Sequence, residues 1–205
     1  MFSIRHFITM AGKLYVFRHA QSEDNENQIF SGGRDVPLTN KGLKEAKKLA
    51  QTLKNTNIHY TFCSDLIRSM MTMEIVMQFH QNTFTCIDKR LRERSYGLLE
   101  GQNKKKWAKY AFTLFKIFHR SYYIPPPGGE SFFTVRKRVR EFIVELISFC
   151  KDKEINVAIC VHSGSIRAFR EYFEGLPKKT FNIIETAEAE LFIYDILDGQ
   201  KKKTK

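Results

Sequence analysis

Residues 14–25 read LYVFRHAQSEDN. Leu14 to Phe17 is a short unbroken apolar run, the pattern of a strand buried on both faces. It stops abruptly at Arg18 and His19, followed by small and polar residues. A guanidinium and an imidazole therefore stand together at the carboxyl end of a strand, where open α/β sheets build their sites. A permanent cation beside a nitrogen nucleophile suits phosphoryl chemistry: the cation holds the anion while the imidazole attacks phosphorus.

The rest of the chain alternates in the same way. Gln21 to Pro37 is a polar loop containing SGGRD, long enough to suggest a functional role. Thr39 or Asn40 caps a helix with Leu43, Ala46, Ala50 and Leu53 on one face. Tyr60 to Cys63 reads as a second strand, and Ser64 or Asp65 as the cap of a helix with a Leu66, Met70, Met73, Met77 core stripe. Arg68 lies off that stripe in the first turn, where a helix amino terminus favours an anion. Phe84 to Ile87 is a third strand, followed by the charged LRERSYGLLEG. Asn103 to Arg120 reads as one helix facing inward through Trp107, Ala111, Leu114 and Phe118, and PPPGG at 125–129 breaks the chain. Residues 131–150 form an amphipathic helix with Phe132, Val135, Val139, Phe142, Leu146 and Phe149 on one face. Val157 to Val161 is the most apolar strand and ends at His162, before a helix carrying Ile166, Phe169 and Phe173. Leu191 to Tyr194 is the last strand. Apolar strands alternating with helices predict an α/β fold of three layers, a mostly parallel sheet with helices on both faces.

The 205 residues suffice for one domain with its own core. We expect an N-terminal extension (1–12), a single catalytic domain (13–198) and a basic tail (199–205), with Met10 an equally good start. A formal charge of +12 favours anionic partners without naming them. The basic residues lack interleaved stacking aromatics, so no nucleic-acid partner is expected. No apolar run approaches the ~20 residues of a membrane span, so no membrane partner is expected. Cys63, Cys86, Cys150 and Cys160 show no CxxC pairing, which points to reduced thiols and a cytoplasmic location. The histidine spacing fits no metal motif, so no metal is expected.

Six motifs in order, RHAQSEDN, FSGGRDVPLT, SDLIRS, LRERSYG, PPPGGES and VHSGSIRA, resemble the histidine phosphatase superfamily, the phosphoglycerate mutase-like fold. The resemblance runs from Lys13 to about Asp195. LRERSYGLLEGQNK and RSYYIPPPGGES are most similar to the short-form mutases that depend on 2,3-bisphosphoglycerate. It implies that His19 is the phosphorylated nucleophile and Glu93 the proton donor and acceptor. Arg18, Arg68 and His162 would hold the phosphate oxygens, helped by Asn25, Ser31, Gly32, Ser163 and Gly164. Arg94, Tyr96, Lys104 and Arg120 would grip the far, carboxylate end of the substrate. His119 stands where those mutases carry the first of two adjacent arginines.

The implied activity is interconversion of 2- and 3-phosphoglycerate through a phosphohistidine, with 2,3-bisphosphoglycerate as the primer and a small phosphorylated metabolite as partner. Related mutases form dimers or tetramers, so a homo-oligomer is an expectation. The alternatives are a phosphatase of the same fold acting on a small ester such as a sugar bisphosphate, and a non-catalytic binder of phosphorylated ligands. A mutase must grip the non-reacting end of its substrate; a phosphatase need not. Two departures stand out. Ala20 replaces the family's usual glycine, which costs on the order of 1 kcal/mol if the site needs positive φ. ETAEAE (185–190) replaces a small uncharged run, and Glu188 and Glu190 are expected to point outward because a carboxylate facing phosphate repels it.

Overall fold

The computed structural model describes residues 12–177, 180–181 and 183–196. Most of the N-terminal extension and the whole basic tail lie outside the described residues. Five strands, β1 (Lys13–Arg18), β2 (Tyr60–Cys63), β3 (Thr85–Ile87), β4 (Val157–Val161) and β5 (Leu191–Asp195), form one sheet in the order β3-β2-β4-β1-β5. Only the β1–β5 pairing is antiparallel.

The apolar runs of β1 and β4 serve both faces at once. Leu14, Val16, Val157, Ile159 and Val161 pack with α6 (Phe132–Cys150) and α7 (Ser163–Glu174). The alternate residues Tyr15, Phe17, Ala158 and Cys160 pack with Leu49 and Leu53 of α2 (Asn40–Leu53) and with Met73 and Val76 of α3 (Ile67–Val76). Side chains alternate across a strand, so helices cover both sides and the sheet lies between two helical layers. All four cysteines are free; Cys86 alone among them is exposed.

Several local expectations change. Residues 21–37 are not a featureless loop. They contain α1 (Glu23–Glu26), closed by a reciprocal capping box between Ser22 and Asn25. Thr39, not Asn40, caps α2. Neither Ser64 nor Asp65 caps α3; Asp35, from the SGGRD loop, accepts the Ile67 N–H at 2.6 Å. The segment 103–120 is two helices, α4 (Lys104–Tyr110) and α5 (Phe112–Arg120), broken at Ala111 with φ −138° and ψ 48°. Leu114 faces outward. On α6, Phe149 is exposed, and Ile143 and Cys150 complete the buried face in its place.

Candidate active site

β1 and β4 are parallel neighbours in register, with Arg18 opposite Val161. Their carboxyl ends therefore deliver His19 and His162 side by side. The ring centroids are 4.9 Å apart, and both side chains are buried. His19 Nδ1 donates to the Ala20 carbonyl at 2.8 Å. A carbonyl only accepts, so Nδ1 carries the proton and the Nε2 lone pair is left for a ligand. Burial, Arg68 and Arg18 hold the His19 pKa well below the ordinary imidazole value, so the ring is neutral at pH 7.

His162 is oriented the opposite way. Its Nε2 lies 2.7 Å from Ser64 Oγ, which also accepts the Leu66 N–H at 3.4 Å. Nε2 is the acceptor that this contact offers the hydroxyl proton, and with that proton on the Ser64–Nε2 line Nδ1 is the N–H donor. Burial, followed by Arg68 and His19, lowers this pKa too.

Arg68 is 1% exposed and reaches from the first turn of α3. It donates to the carbonyls of Arg34 (2.7 Å) and Gly32 (2.9 Å), fixing the SGGRD loop against the strand ends. Gly32 has φ +51°, and a Cβ there would meet the Glu100 carboxylate, so the loop turns only with glycine. Ser31 is buried in the same loop. Asn25 spends its side-chain oxygen on the N–H and hydroxyl of Ser22.

Glu93 sits in the segment that leads away from β3. Its Oε1 accepts from the Arg94 N–H (2.8 Å) and the Gly164 N–H (3.0 Å) at the start of α7. A Cβ on Gly164 would lie 2.5 Å from that oxygen, so the close approach requires glycine. The Gly164 N–H is therefore spent on Glu93, and Ser163 Oγ accepts from Thr186 Oγ1 at 3.3 Å. Arg92 turns away to pair with Asp65.

The far-end group assembles only in part. Arg94 is fully buried and donates to the carbonyls of Glu130, His119 and Phe118 while lying 4.2 Å over the Phe132 ring. In this structure it is held by main-chain carbonyls and an aromatic ring. His119 packs among Phe30 and Phe115, and burial followed by Arg120 lowers its pKa to about 3, so it is neutral. Lys104 sits 5.7 Å from the Phe30 ring, its pKa lowered chiefly by burial, within the fields of Glu93 and Arg18. Tyr96 is half-buried between Arg94 and Phe30. Arg120 meets Glu185 at 2.9 Å.

Both sequence departures resolve. Ala20 is not among the described residues with positive φ. Its N–H donates to Thr72 Oγ1, and its methyl packs with Leu38 and Ala46, so the glycine penalty does not arise. Glu188 does not point outward; it lies 3.4 Å from Arg18 Nη2, because the 186–190 loop runs across the end of β1. Glu190 turns back on its own loop and accepts the Ala187 N–H.

The sequence reading missed four supporting residues. Ser64 orients His162, Arg138 donates to the carbonyls of Arg90, Arg92 and Glu93, and Ser165 donates to those of Leu91 and Arg92. Arg167, 6% exposed on α7, lies in the field of Tyr96 and Glu93. The Ser64 position, at the end of a strand beside those carrying the histidines, was the one available signal.

Three buried N–H groups at this strand edge, Arg18 Nε, Arg68 Nε and His162 Nδ1, have no protein partner. An orphaned buried donor costs about 1–3 kcal/mol, so their collection beside a neutral His19 describes a cradle for a tetrahedral anion. No group of three or more His, Cys, Asp or Glu side chains among the described residues is placed to hold a metal ion. No helix among them is long and apolar enough to cross a membrane.

Fold and site together define an α/β protein of the histidine-dependent phosphoryl-transfer class. The profile of the Histidine phosphatase superfamily (branch 1) matches residues 14–205, and the chain belongs to that family. A Brucella melitensis protein named 2,3-bisphosphoglycerate-dependent phosphoglycerate mutase is 36% identical over 172 residues, covering 82% of this chain and 84% of its own. A Protochlamydia amoebophila protein of the same name is 31% identical over 214 residues, covering 89% and 94%. Among solved structures, Bacillus stearothermophilus YhfR superposes with a TM-score of 0.84 at 24% identity, covering 94% and 95%. A putative alpha-ribazole-5'-P phosphatase from Escherichia coli superposes at 0.83 and 21%, covering 95% of each chain.

Proposed function

We propose that this enzyme is a phosphomonoesterase working through a phosphohistidine on His19. The observation that carries the reading is the trio of unpartnered buried donors beside a neutral imidazole whose Nε2 is free. In the first step Nε2 attacks phosphorus and the ester P–O bond breaks. The leaving alkoxide takes a proton from Glu93. In the second, water attacks the phosphohistidine, Glu93 recovers the proton, and inorganic phosphate leaves with His19 neutral again. Charge spreads over the transferring oxygens, so preorganised donors on Arg18, Arg68 and His162 supply most of the stabilisation.

Water is favoured as the acceptor because the far-end grip is incomplete. Arg94 is spent on main-chain carbonyls, His119 is neutral, and Arg120 faces Glu185. The mutase is the second reading, supported by the names of the curated relatives and by Lys104, half-buried in the field of Glu93 and Arg18. In that case 2,3-bisphosphoglycerate would prime His19, with one phosphate on the donor trio and its far end on Lys104 and Arg120. The test is to supply 3-phosphoglycerate with and without catalytic 2,3-bisphosphoglycerate and to measure phosphate release against 2-phosphoglycerate formation, for wild type and His19→Ala. Faster phosphate release, lost in the variant, is expected. Faster isomerisation would establish the mutase, and neither activity on this or any ester would leave a phospho-ligand binder.

A further inference from the structure

The segment 185–190 is the part of the pocket that phosphoryl chemistry does not require. Glu188 lies 3.4 Å from Arg18 Nη2, and the Thr186 carbonyl accepts from Arg18 Nη1 at 2.5 Å. Both terminal nitrogens of Arg18 are thus engaged by this loop, leaving its buried, unpartnered Nε for a ligand. Glu188 also acts on Lys104, whose charged form it favours, and Glu185 meets Arg120 at 2.9 Å. Arg18 and Arg120 are therefore each faced by a carboxylate from one six-residue stretch, and Lys104 lies in the field of Glu188.

The loop is held in this position. The Arg18 N–H donates to the Glu190 carbonyl at 3.2 Å, the Ala189 N–H to the His19 carbonyl at 3.4 Å, and Thr186 Oγ1 to Ser163 Oγ at 3.3 Å. Between the contacts of Thr186 and Glu190, Ala189 has φ +54°, a left-handed conformation that a non-glycine residue keeps only when its surroundings impose it. Glu188 is one residue away and is 29% exposed at its side chain.

We infer that Glu188, seconded by Glu185, selects substrate: the pocket takes phosphate monoesters of neutral or ammonium-bearing alcohols and disfavours those carrying a second anionic group. The reacting phosphate still meets a net positive cradle, since Arg68 and His162 keep their free donors. A carboxylate or second phosphate at the far end meets cations already countered by carboxylates, and it gains no net attraction. This deepens the phosphomonoesterase reading and names its substrate class.

The test is binding, so that it does not depend on turnover. Glycerol 3-phosphate and 3-phosphoglycerate are titrated by calorimetry at low salt into His19→Gln protein, with and without Glu185→Gln and Glu188→Gln. Before substitution, glycerol 3-phosphate binds at least tenfold more tightly than 3-phosphoglycerate. In the double variant that ratio falls about tenfold, and most of the fall appears with Glu188→Gln alone. A ratio that both glutamines leave unchanged overturns the inference, even if the wild type hydrolyses esters well. No binding of either ester to any variant overturns both the inference and the function beneath it. A wild type that releases no phosphate from either ester, while the binding ratio falls as expected in the glutamine variants, overturns only the hydrolase.

Discussion

Replacing Arg94 by Met separates a packing cation from a substrate grip. The guanidinium is fully buried and makes three hydrogen bonds, to Glu130 O at 2.7 Å, Phe118 O at 2.9 Å and His119 O at 3.3 Å. Two of these are well made, and a hydrogen bond to a charged group contributes about 1.5–3 kcal/mol. Methionine keeps the stem over Phe132 but leaves the carbonyls at the end of α5 and just before α6 unpaired. Relief of the buried charge offsets part of the loss. The net destabilisation is about 3 kcal/mol, and at about 2–4 °C per kcal/mol for a chain of this size it lowers Tm by about 6–12 °C. Urea and thermal unfolding measure it directly. Rates on p-nitrophenyl phosphate taken at 15 °C, below the new transition, stay within about threefold of wild type. Lys104→Met leaves Tm within about 2 °C, because Lys104 is only half-buried and has no such set of carbonyl bonds. An Arg94→Met protein with an unchanged urea midpoint and a large rise in KM would refute the assignment.

Protonation gives a second check. His19, His162 and His119 are all held below the ordinary imidazole value, chiefly by burial. The folded protein keeps them neutral while the unfolded chain titrates near 6.5, so stability is full above that pH and is lost as pH falls. Three such groups give a slope of up to about 4 kcal/mol per pH unit well below 6.5. Urea midpoints at pH 7.5 and 5.0 should differ accordingly, and equal midpoints would contradict the buried neutral imidazoles. Glu93→Gln keeps the acceptor for Gly164 but cannot give a proton. It should slow phosphorylation of His19 by alkyl phosphates about 10²–10⁴-fold while sparing the p-nitrophenol burst from p-nitrophenyl phosphate, with the later water step slowed for both; an equal loss in the two phosphorylation steps would remove Glu93 from acid catalysis. Ala20→Gly should destabilise the protein by about 1 kcal/mol in urea, since the site has no positive φ and the methyl is buried. A gain in stability would mean that the backbone there is strained.

Much of this architecture is legible in the chain because its signals are local. Leu14 to Phe17 and Val157 to Val161 are apolar at every position, and only a strand covered on both faces needs that pattern. Arg18, His19 and His162 then follow at the same sheet edge from strand direction alone. What escaped depends on contacts remote in sequence. Asp35 caps α3 from 32 residues away, and Ser64 is taken from capping by a histidine 98 residues on. Arg94 looks like any other residue of LRERSYG. Only the fold reveals that three carbonyls from residues 118–130 surround it. Glu188 was misplaced for a different reason. Its repulsion of phosphate follows from charge alone, whereas its attraction to Arg18 depends on where the 186–190 loop crosses β1.

The nucleophile is the claim on which the function rests, and it can be trapped. Wild type and His19→Ala are mixed with p-nitrophenyl phosphate or acetyl phosphate, quenched in alkali within milliseconds, digested and mapped by mass spectrometry. The account predicts one phosphate per chain on His19, stable in base, lost in acid and missing from the variant. No phosphate on His19 while the wild type turns over, or a phosphate carried elsewhere, would contradict it.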